Sequence, residues 1–151
     1  MTLNIATIGT VSSPVKEGVD EGWGGVISEI RLKEEYAPGL AGLNEFSNIL
    51  VVFYMHKSTF EVEAHLQRRP QGRQDMPHVG IFAQRAKHRP NPIGVTAVEL
   101  LTVRGSTITV RGLDAIDGTP VLDVKPYFPV SDCRVEARTP GWVDELMKGY
   151  F

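Results

Sequence analysis

The clearest structural signal in the chain is the stretch Val26-Ile27-Ser28-Glu29-Ile30-Arg31-Leu32. Its even-numbered side chains are apolar or small and its odd-numbered ones are mostly polar, an alternation typical of a strand with one buried face. Comparable stretches predict further strands at Asn4–Val11, Ile49–Met55, His78–Ala83, Ile93–Thr102, Thr107–Arg111 and Val121–Tyr127. Ile49–Met55 is apolar throughout, which predicts that both of its faces are covered.

Short strands dominate the chain, and 15 Gly and 10 Pro separate them. The only strong helix signal follows residue 138: Thr139 as N-cap and Pro140 as first helical residue precede apolar residues at helical spacing. We therefore predict a mainly β fold, a single sheet forming a closed or nearly closed β-barrel. Short peripheral helices and a C-terminal helix over about residues 139–150 complete the prediction.

Length and composition predict one domain, because 151 residues with 42% hydrophobic side chains suit a single core. The single cysteine, Cys133, has no partner for an internal disulfide, which is typical of a reducing compartment. The longest apolar run, Ile49–Met55, is far shorter than the roughly 20 residues that span a bilayer. The first residues lack the basic start of a signal peptide, so we expect a cytoplasmic protein.

The net charge of −2 conceals an uneven distribution. Residues 68–89, called the basic segment below, carry six Lys or Arg against one acidic residue, Asp75, and both flanks are acidic. Such a field can recruit a polyanion, although a solvated basic loop explains the same composition. The six cations are Arg68, Arg69, Arg73, Arg85, Lys87 and Arg89.

Several nucleotide-binding and hydrolase signatures are absent from the sequence. There is no G-x-G-x-x-G, G-x-x-x-x-G-K-[ST], G-x-S-x-G or H-E-x-x-H. The four histidines lie far apart in sequence and have no cysteine partners, so we expect no metal site.

Two unusual segments remain. In Arg85-Ala-Lys-His-Arg89-Pro-Asn-Pro92-Ile-Gly94, two prolines stiffen a loop that carries three cations, which suits a preorganised binding site or a rigid connection. In Leu113–Tyr127, Asp117-Gly118 predicts a tight turn. Asp114, Asp123 and Lys125 stand in otherwise apolar surroundings and therefore need partners, either each other or a ligand.

These segments resemble the TsaA-like domain of the TrmO family of tRNA methyltransferases. The resemblance covers about residues 3–132 and is strongest in R-x-x-x-R-P-N-P-I-G and D-G-T-P-V-L-D-x-K-P-Y. It implies a single-domain β-barrel, bound S-adenosyl-L-methionine, a homodimer and methylation of N6 of threonylcarbamoyladenosine beside the tRNA anticodon. Longer members carry a further C-terminal domain that contributes to tRNA handling, whereas this chain continues past the predicted barrel only to Phe151.

The resemblance also implies site residues. The cofactor residues are expected to be Trp23, Gly24, Gly25, His56, Lys57, Arg85, Val95, Leu113, Asp114, Ile116, Asp117, Gly118 and Thr119. The candidates for accepting the N6 proton are Asp114, Asp117 and Tyr127, with Asp123 a further carboxylate. The residues expected to contact RNA or substrate are Arg68, Arg69, Arg73, Lys87, Arg89 and Lys125.

Two other functions stay open at this point. One is a methyltransferase that acts on a small molecule or another RNA. The other is a non-catalytic module that binds S-adenosyl-L-methionine without turnover.

Overall fold

The computed structural model describes residues 1–151 and confirms the predicted β-barrel. The strands are β1 (Gly9–Ser12), β2 (Ile27–Leu32), β3 (Asn48–Tyr54), β4 (Gln67–Arg68), β5 (Val79–Gly80), β6 (Ile93–Arg104), β7 (Thr107–Arg111) and β8 (Pro120–Pro126). Six of them close in the order β1-β2-β7-β6-β3-β8, and every neighbouring pair is antiparallel. A separate two-stranded ribbon, β4–β5, lies outside the barrel.

Helices are few and short. The α-helices are α1 (Val62–His65), α2 (Pro129–Asp132) and α3 (Trp142–Met147), and single 3-10 turns or short 3-10 helices occur at Trp23–Gly25, Glu34–Leu40, Leu43–Glu45, Pro70–Gly72 and Ile81–Ala83. None of the helices has the length and apolar character needed to cross a membrane. No group of three or more His, Cys, Asp or Glu side chains is arranged to hold a metal ion.

The core fills the barrel, because alternate residues of each strand point inward. In β2, Ser28, Ile30 and Leu32 are buried, as the period-two pattern predicts. The buried cluster is Val11, Ile30, Leu32, Leu40, Ile49, Val51, Phe53, Val98, Ile108, Val110, Leu113, Ala115 and Val121. A closed barrel leaves no sheet edge open to pair with another chain.

Four sequence predictions were wrong in detail. Asn4–Val11 is a strand only from Gly9 onward, and His78–Ala83 pairs only at Val79–Gly80 before it turns. The predicted helix over 139–150 covers only Trp142–Met147, with Gly141 rather than Thr139 at the N-cap position. Within one chain the outer face of β3 is only partly covered, because Leu50 and Val52 are half-buried and Tyr54 is 41% exposed.

Candidate functional site

Four segments that are distant in sequence meet at one end of the barrel, called the site end below. They are the connection from β1 to β2, the residues after β3, the loop that enters β6 and the connection from β7 to β8. Backbone hydrogen bonds of 2.7–2.9 Å join them: Val11 N to Thr119 O, Met55 N to Pro92 O and Gly112 N to Val26 O. Most of the expected cofactor residues lie in these segments, so the barrel brings together what the sequence separates.

Asp114 accepts two side-chain hydrogen bonds at the site end. The Thr96 hydroxyl in β6 donates to Oδ1 at 2.5 Å, and the Tyr150 hydroxyl donates to Oδ2 at 2.6 Å. Burial and the neighbouring Asp114 carboxylate raise the pKa of Tyr150 far above its ordinary value, so its hydroxyl is a donor at every physiological pH. Asp114 is only half-buried and keeps acceptor sites for further donors, because a carboxylate has about four.

The turn Trp23–Gly25 forms a second wall. The Trp23 side chain is buried and its indole N–H donates to Val19 O at 2.9 Å. The backbone N–H of Trp23 donates to Tyr150 O at 2.8 Å, and a Cβ on Gly24 would lie 2.5 Å from the carbonyl carbon of Phe151. Packing against the backbone of Phe151 therefore requires glycine at position 24, because a larger residue does not fit there.

His56 lies between the end of β3 and the turn at Gly118. Its Nδ1 is buried and has no hydrogen-bond partner, which is uncommon for a native polar atom. A Cβ on Gly118, where φ is +81°, would lie 4.0 Å from Nε2 of the same ring.

Thr119 is buried and its hydroxyl donates to Ile116 O at 2.7 Å, while Leu113 belongs to the core.

Cations line the remaining side of the site end. The guanidinium of Arg85 donates to the backbone O of Val95 at 2.7 Å, and its charge acts on the Tyr150 hydroxyl. A Cβ on Gly18 would lie 3.9 Å from the ammonium nitrogen of Lys87, so Lys87 reaches the connection from β1 to β2. Lys57 is exposed and lies 3.5 Å from Glu17.

Asp117 closes the turn beneath the site. Its Oδ1 accepts the backbone N–H of Ser13 at 2.9 Å, and its Oδ2 lies 3.0 Å from the Lys16 ammonium. The Ser13 N–H, and after it Lys16, hold the pKa of Asp117 below its ordinary range. A carboxylate stabilised in this way is a weaker base, so its contacts favour a structural role over proton transfer.

Tyr127 does not lie with these groups. Its backbone N–H donates to Asn48 O at 3.1 Å, at the start of β3, whereas His56 follows the end of β3. Seven strand residues separate the two positions by about 20 Å. Burial, with Cys133 adding to it, raises the pKa of Tyr127, so the phenol stays protonated.

Asp123 and Lys125 in β8 form an ion pair, with Nζ of Lys125 2.7 Å from Oδ2 of Asp123.

The structure divides the basic segment into two groups. Four arginines contact backbone or a neighbouring acid: Arg69 donates to Met76 O, Arg73 pairs with Asp75, Arg85 donates to Val95 O, and Arg89 donates to the carbonyls of Gln84 and Ala86. Arg68 and Lys87 make no ion pair, and neither does Arg85. Phe82, three residues before Arg85 in the sequence, is 79% exposed.

Sequence reasoning missed Thr96 and Tyr150. Thr96 carried a signal, because it occupies an inward position of β6 where the neighbouring inward residue, Val98, is apolar. Tyr150 carried none, since a lone aromatic residue after a helix is typical of packing and its contact with Asp114 spans 36 residues.

The side chains at this end suit a ligand that bears hydroxyl, ammonium and aromatic groups. Asp114 offers acceptors for hydroxyl or ammonium donors, and the unpartnered Nδ1 of His56 offers one more polar contact. These side chains therefore fit S-adenosyl-L-methionine, whose ribose hydroxyls and amino group are donors and whose adenine offers polar contacts and an aromatic ring.

Comparison with known proteins identifies the family of this chain. Residues 18–133 match the family model described as tRNA-methyltransferase O N-terminal domain. An S-adenosyl-L-methionine-binding protein of Archaeoglobus fulgidus is 38% identical over 139 residues, which cover 88% of this chain and 96% of the relative. A tRNA (adenine(37)-N6)-methyltransferase of Mus musculus is 42% identical over 92 residues, 59% of this chain and 20% of the mouse protein.

The fold is shared with solved structures. A crystal structure of TrmO from Pseudomonas aeruginosa superimposes with a TM-score of 0.77 and 28% sequence identity. The match covers 94% of this chain and 62% of that one. The chain thus spans about three fifths of the solved protein and nearly the whole of the archaeal relative.

Proposed function

This chain belongs to the tRNA-methyltransferase O N-terminal domain family, and we propose that it is an S-adenosyl-L-methionine-dependent methyltransferase whose substrate is N6 of threonylcarbamoyladenosine beside the tRNA anticodon. The observation that carries the proposal is the meeting of four chain segments around Asp114, His56 and the Trp23–Gly25 turn. Such a substrate implies that the protein works in the cytoplasm.

The cofactor would be held by the residues of the site end. The Asp114 carboxylate is suited to its hydroxyl or ammonium donors, and His56 to its adenine. The turn Trp23–Gly25 and the backbone at Val95 supply the walls. When bound, S-adenosyl-L-methionine supplies an electrophilic methyl group on a sulfonium.

The chemistry asks little of the chain beyond orientation. The cofactor would supply the methyl group to N6 and would leave as a neutral thioether, so the chain has only to hold the two reactants in line. The N6 proton must pass to an acceptor, for which Asp114 or a water molecule on it is the best-placed group, since Asp117 is bound in its turn and Tyr127 lies elsewhere. Positioning of the two reactants supplies most of the barrier reduction, on the order of 7–11 kcal/mol in favourable cases.

The surface beside the site suits RNA. Arg68, Arg85 and Lys87 have no acidic partner, so their charge is available to phosphates or to the threonyl carboxylate. The exposed ring of Phe82 can stack on a base from an opened anticodon loop. Cations beside an exposed aromatic ring are typical of single-stranded RNA recognition.

A homodimer is supported by the outer face of β3 and β6. Tyr54 pairs with Ile93 and Val52 pairs with Val95, and on this face Tyr54, Ile93 and Val95 are 41%, 39% and 41% exposed. Contiguous apolar surface of this kind marks interfaces more often than free surface. Because Arg85 binds the backbone of Val95, a partner on this face would adjoin the site.

Transfer of labelled methyl groups tests the proposal. The chain is incubated with methyl-labelled S-adenosyl-L-methionine and with tRNA that carries or lacks the threonylcarbamoyl group. Label on modified tRNA alone is the expected result, and Arg85→Ala should abolish it. Equal label on both tRNAs would assign the activity to plain adenine.

Two further results would favour the other functions. Binding of cofactor by calorimetry without label on any RNA would indicate a small-molecule methyltransferase or a non-catalytic module. No heat of binding with cofactor at high micromolar concentration would overturn the whole proposal. Full labelling by Arg85→Ala would contradict the assignment of that residue to the site.

A further inference from the structure

The segment Gly149–Phe151 packs against the Trp23–Gly25 turn through backbone contacts. Gly22 N donates to Gly149 O and Trp23 N donates to Tyr150 O, both at 2.8 Å. The backbone of Phe151 occupies the space that a side chain on residue 24 would fill. These contacts fix the backbone of Tyr150 beside the turn, and the bond of its hydroxyl to Asp114 holds the ring.

From that position Tyr150 reaches Asp114, in the connection from β7 to β8. Its hydroxyl donates to Oδ2, and the hydroxyl of Thr96 donates to Oδ1. Two hydroxyl groups from separate elements thus hold one carboxylate, one on each oxygen. A carboxylate held at both oxygens cannot rotate freely, while its remaining lone pairs stay available.

We propose that Tyr150 is a positioning residue of the cofactor pocket, which acts with Thr96 to preorganise the Asp114 carboxylate for the hydroxyl or ammonium donors of S-adenosyl-L-methionine. This inference rests on the proposed function. Without the Tyr150 hydroxyl, the Asp114 carboxylate becomes ordered only when the ligand binds. The entropic cost of that ordering then weakens the binding of the ligand. Removing the hydroxyl leaves both oxygens of Asp114 in place as acceptors, so we expect transfer from the bound complex to change much less than cofactor binding.

The same contacts allow an opposite role, which the test must separate. If residues 149–151 instead occupied space that the cofactor needs, loosening them would strengthen binding. In that case Tyr150 would compete with the cofactor for the Asp114 carboxylate and would not orient it for binding. The direction of the change in affinity therefore distinguishes the two roles.

The test compares the full chain with Tyr150→Phe, by calorimetry with S-adenosyl-L-methionine and by initial rates. We expect Kd and the KM for cofactor to rise about tenfold, as for loss of one hydrogen bond to a charged group, with kcat at saturating cofactor within about twofold. A merely structural loss would lower the active fraction and hence kcat, without this selective change in KM. Tyr36→Phe is the matched control, because the Tyr36 hydroxyl makes no side-chain hydrogen bond and lies in the Glu34–Leu40 helix.

A second pair of variants keeps the inference testable if Tyr150→Phe folds poorly. Thr96→Val removes the other hydroxyl and should weaken binding in the same direction, whereas Thr96→Ser keeps the hydroxyl and should retain wild-type affinity. Equal Kd for the Val and Ser variants, unchanged Kd for Tyr150→Phe, or tighter binding by it would overturn the inference alone. Failure of the wild-type chain to bind the cofactor would overturn the proposed function, and the inference with it.

Discussion

Lys16 and Asp117 link the end of β1 to the turn before β8, with Nζ 3.0 Å from Oδ2. The Ser13 N–H on Oδ1 and the Lys16 charge lower the pKa of Asp117 from its ordinary value of 3.8. A lowered carboxyl pKa stabilises the folded chain above pH 3.8, and this contribution is lost as the pH falls through the folded-state value.

We therefore expect Asp117→Asn to destabilise the chain at pH 7, because the amide cannot replace the carboxylate toward Lys16. The loss should shrink as the pH falls below about 4, because the unfolded wild-type chain takes up a proton there while folded Asp117 stays charged until its lower pKa is reached. Urea unfolding at several pH values measures the difference between the two proteins. A difference that stays constant from pH 7 to pH 3 would contradict this account.

Gly24→Ala should detach the segment after α3 from the barrel. The new methyl group would lie 2.5 Å from the carbonyl carbon of Phe151, and main chain on both sides leaves little room for adjustment. We expect the free energy of unfolding to fall by about 1–3 kcal/mol, the usual cost of overpacking. Gly25→Ala is the control for stability, because nothing lies within 4 Å of the added atom. Equal stability of the two variants would show that the segment docks elsewhere.

Ile93→Lys should convert a dimer to a monomer. The substitution puts a charge into the exposed apolar face of β3 and β6, where Ile93 pairs with Tyr54. Light scattering after size exclusion measures the mass. Thr102→Lys, also exposed and on β6, should leave the dimer intact. A wild-type chain that is monomeric at micromolar concentration would refute the dimer itself.

Lys87→Ala should weaken tRNA binding and lower its dependence on salt. Each phosphate contact releases about one counterion, so the slope of log K against log salt should fall by about one. Arg104→Ala is the control, because Arg104 ends β6 at the opposite end of the barrel. Identical slopes for the two variants would exclude Lys87 from the RNA surface.

Arg89→Lys tests whether Arg89 stabilises the basic segment or contacts RNA directly. Arg89 donates to the carbonyls of Gln84 and Ala86, and an ammonium does not reproduce that two-carbonyl geometry. We expect the variant to keep the charge but lose about 1–2 kcal/mol of stability. Weaker tRNA binding with unchanged thermal stability would instead make Arg89 a direct contact.

The barrel could be predicted because its signals are local. The strand Thr107–Arg111 has the predicted bounds, and Ser28, Ile30 and Leu32 face the core as their spacing requires. The predicted bounds were wrong where pairing with other strands determines how far a strand extends. Residues 4–8 lie outside the strand because pairing in β1 begins at Gly9, and Ile81–Ala83 turns because the ribbon ends at Gly80.

The candidate site was predictable only through long sequence motifs. Spacing within Arg85–Gly94 and Leu113–Thr119 indicates unusual chemistry but not that the two segments adjoin. The bonds from Thr96 and Tyr150 to Asp114 join residues 18 and 36 positions apart, so no local period encodes them. Asp123 and Lys125 show the converse, since a surface ion pair satisfies both.

The hairpin at the far end of the barrel gives the fold a practical use. Gly105 has φ of +58° and nothing within 4 Å of its added Cβ position, and it joins β6 to β7 at the end opposite Asp114. Exposed tight turns of this kind tolerate insertions. We expect a fluorophore, an affinity peptide or a reporter domain inserted there to leave the site at the other end of the barrel undisturbed. A labelled barrel of this kind could report the binding of S-adenosyl-L-methionine.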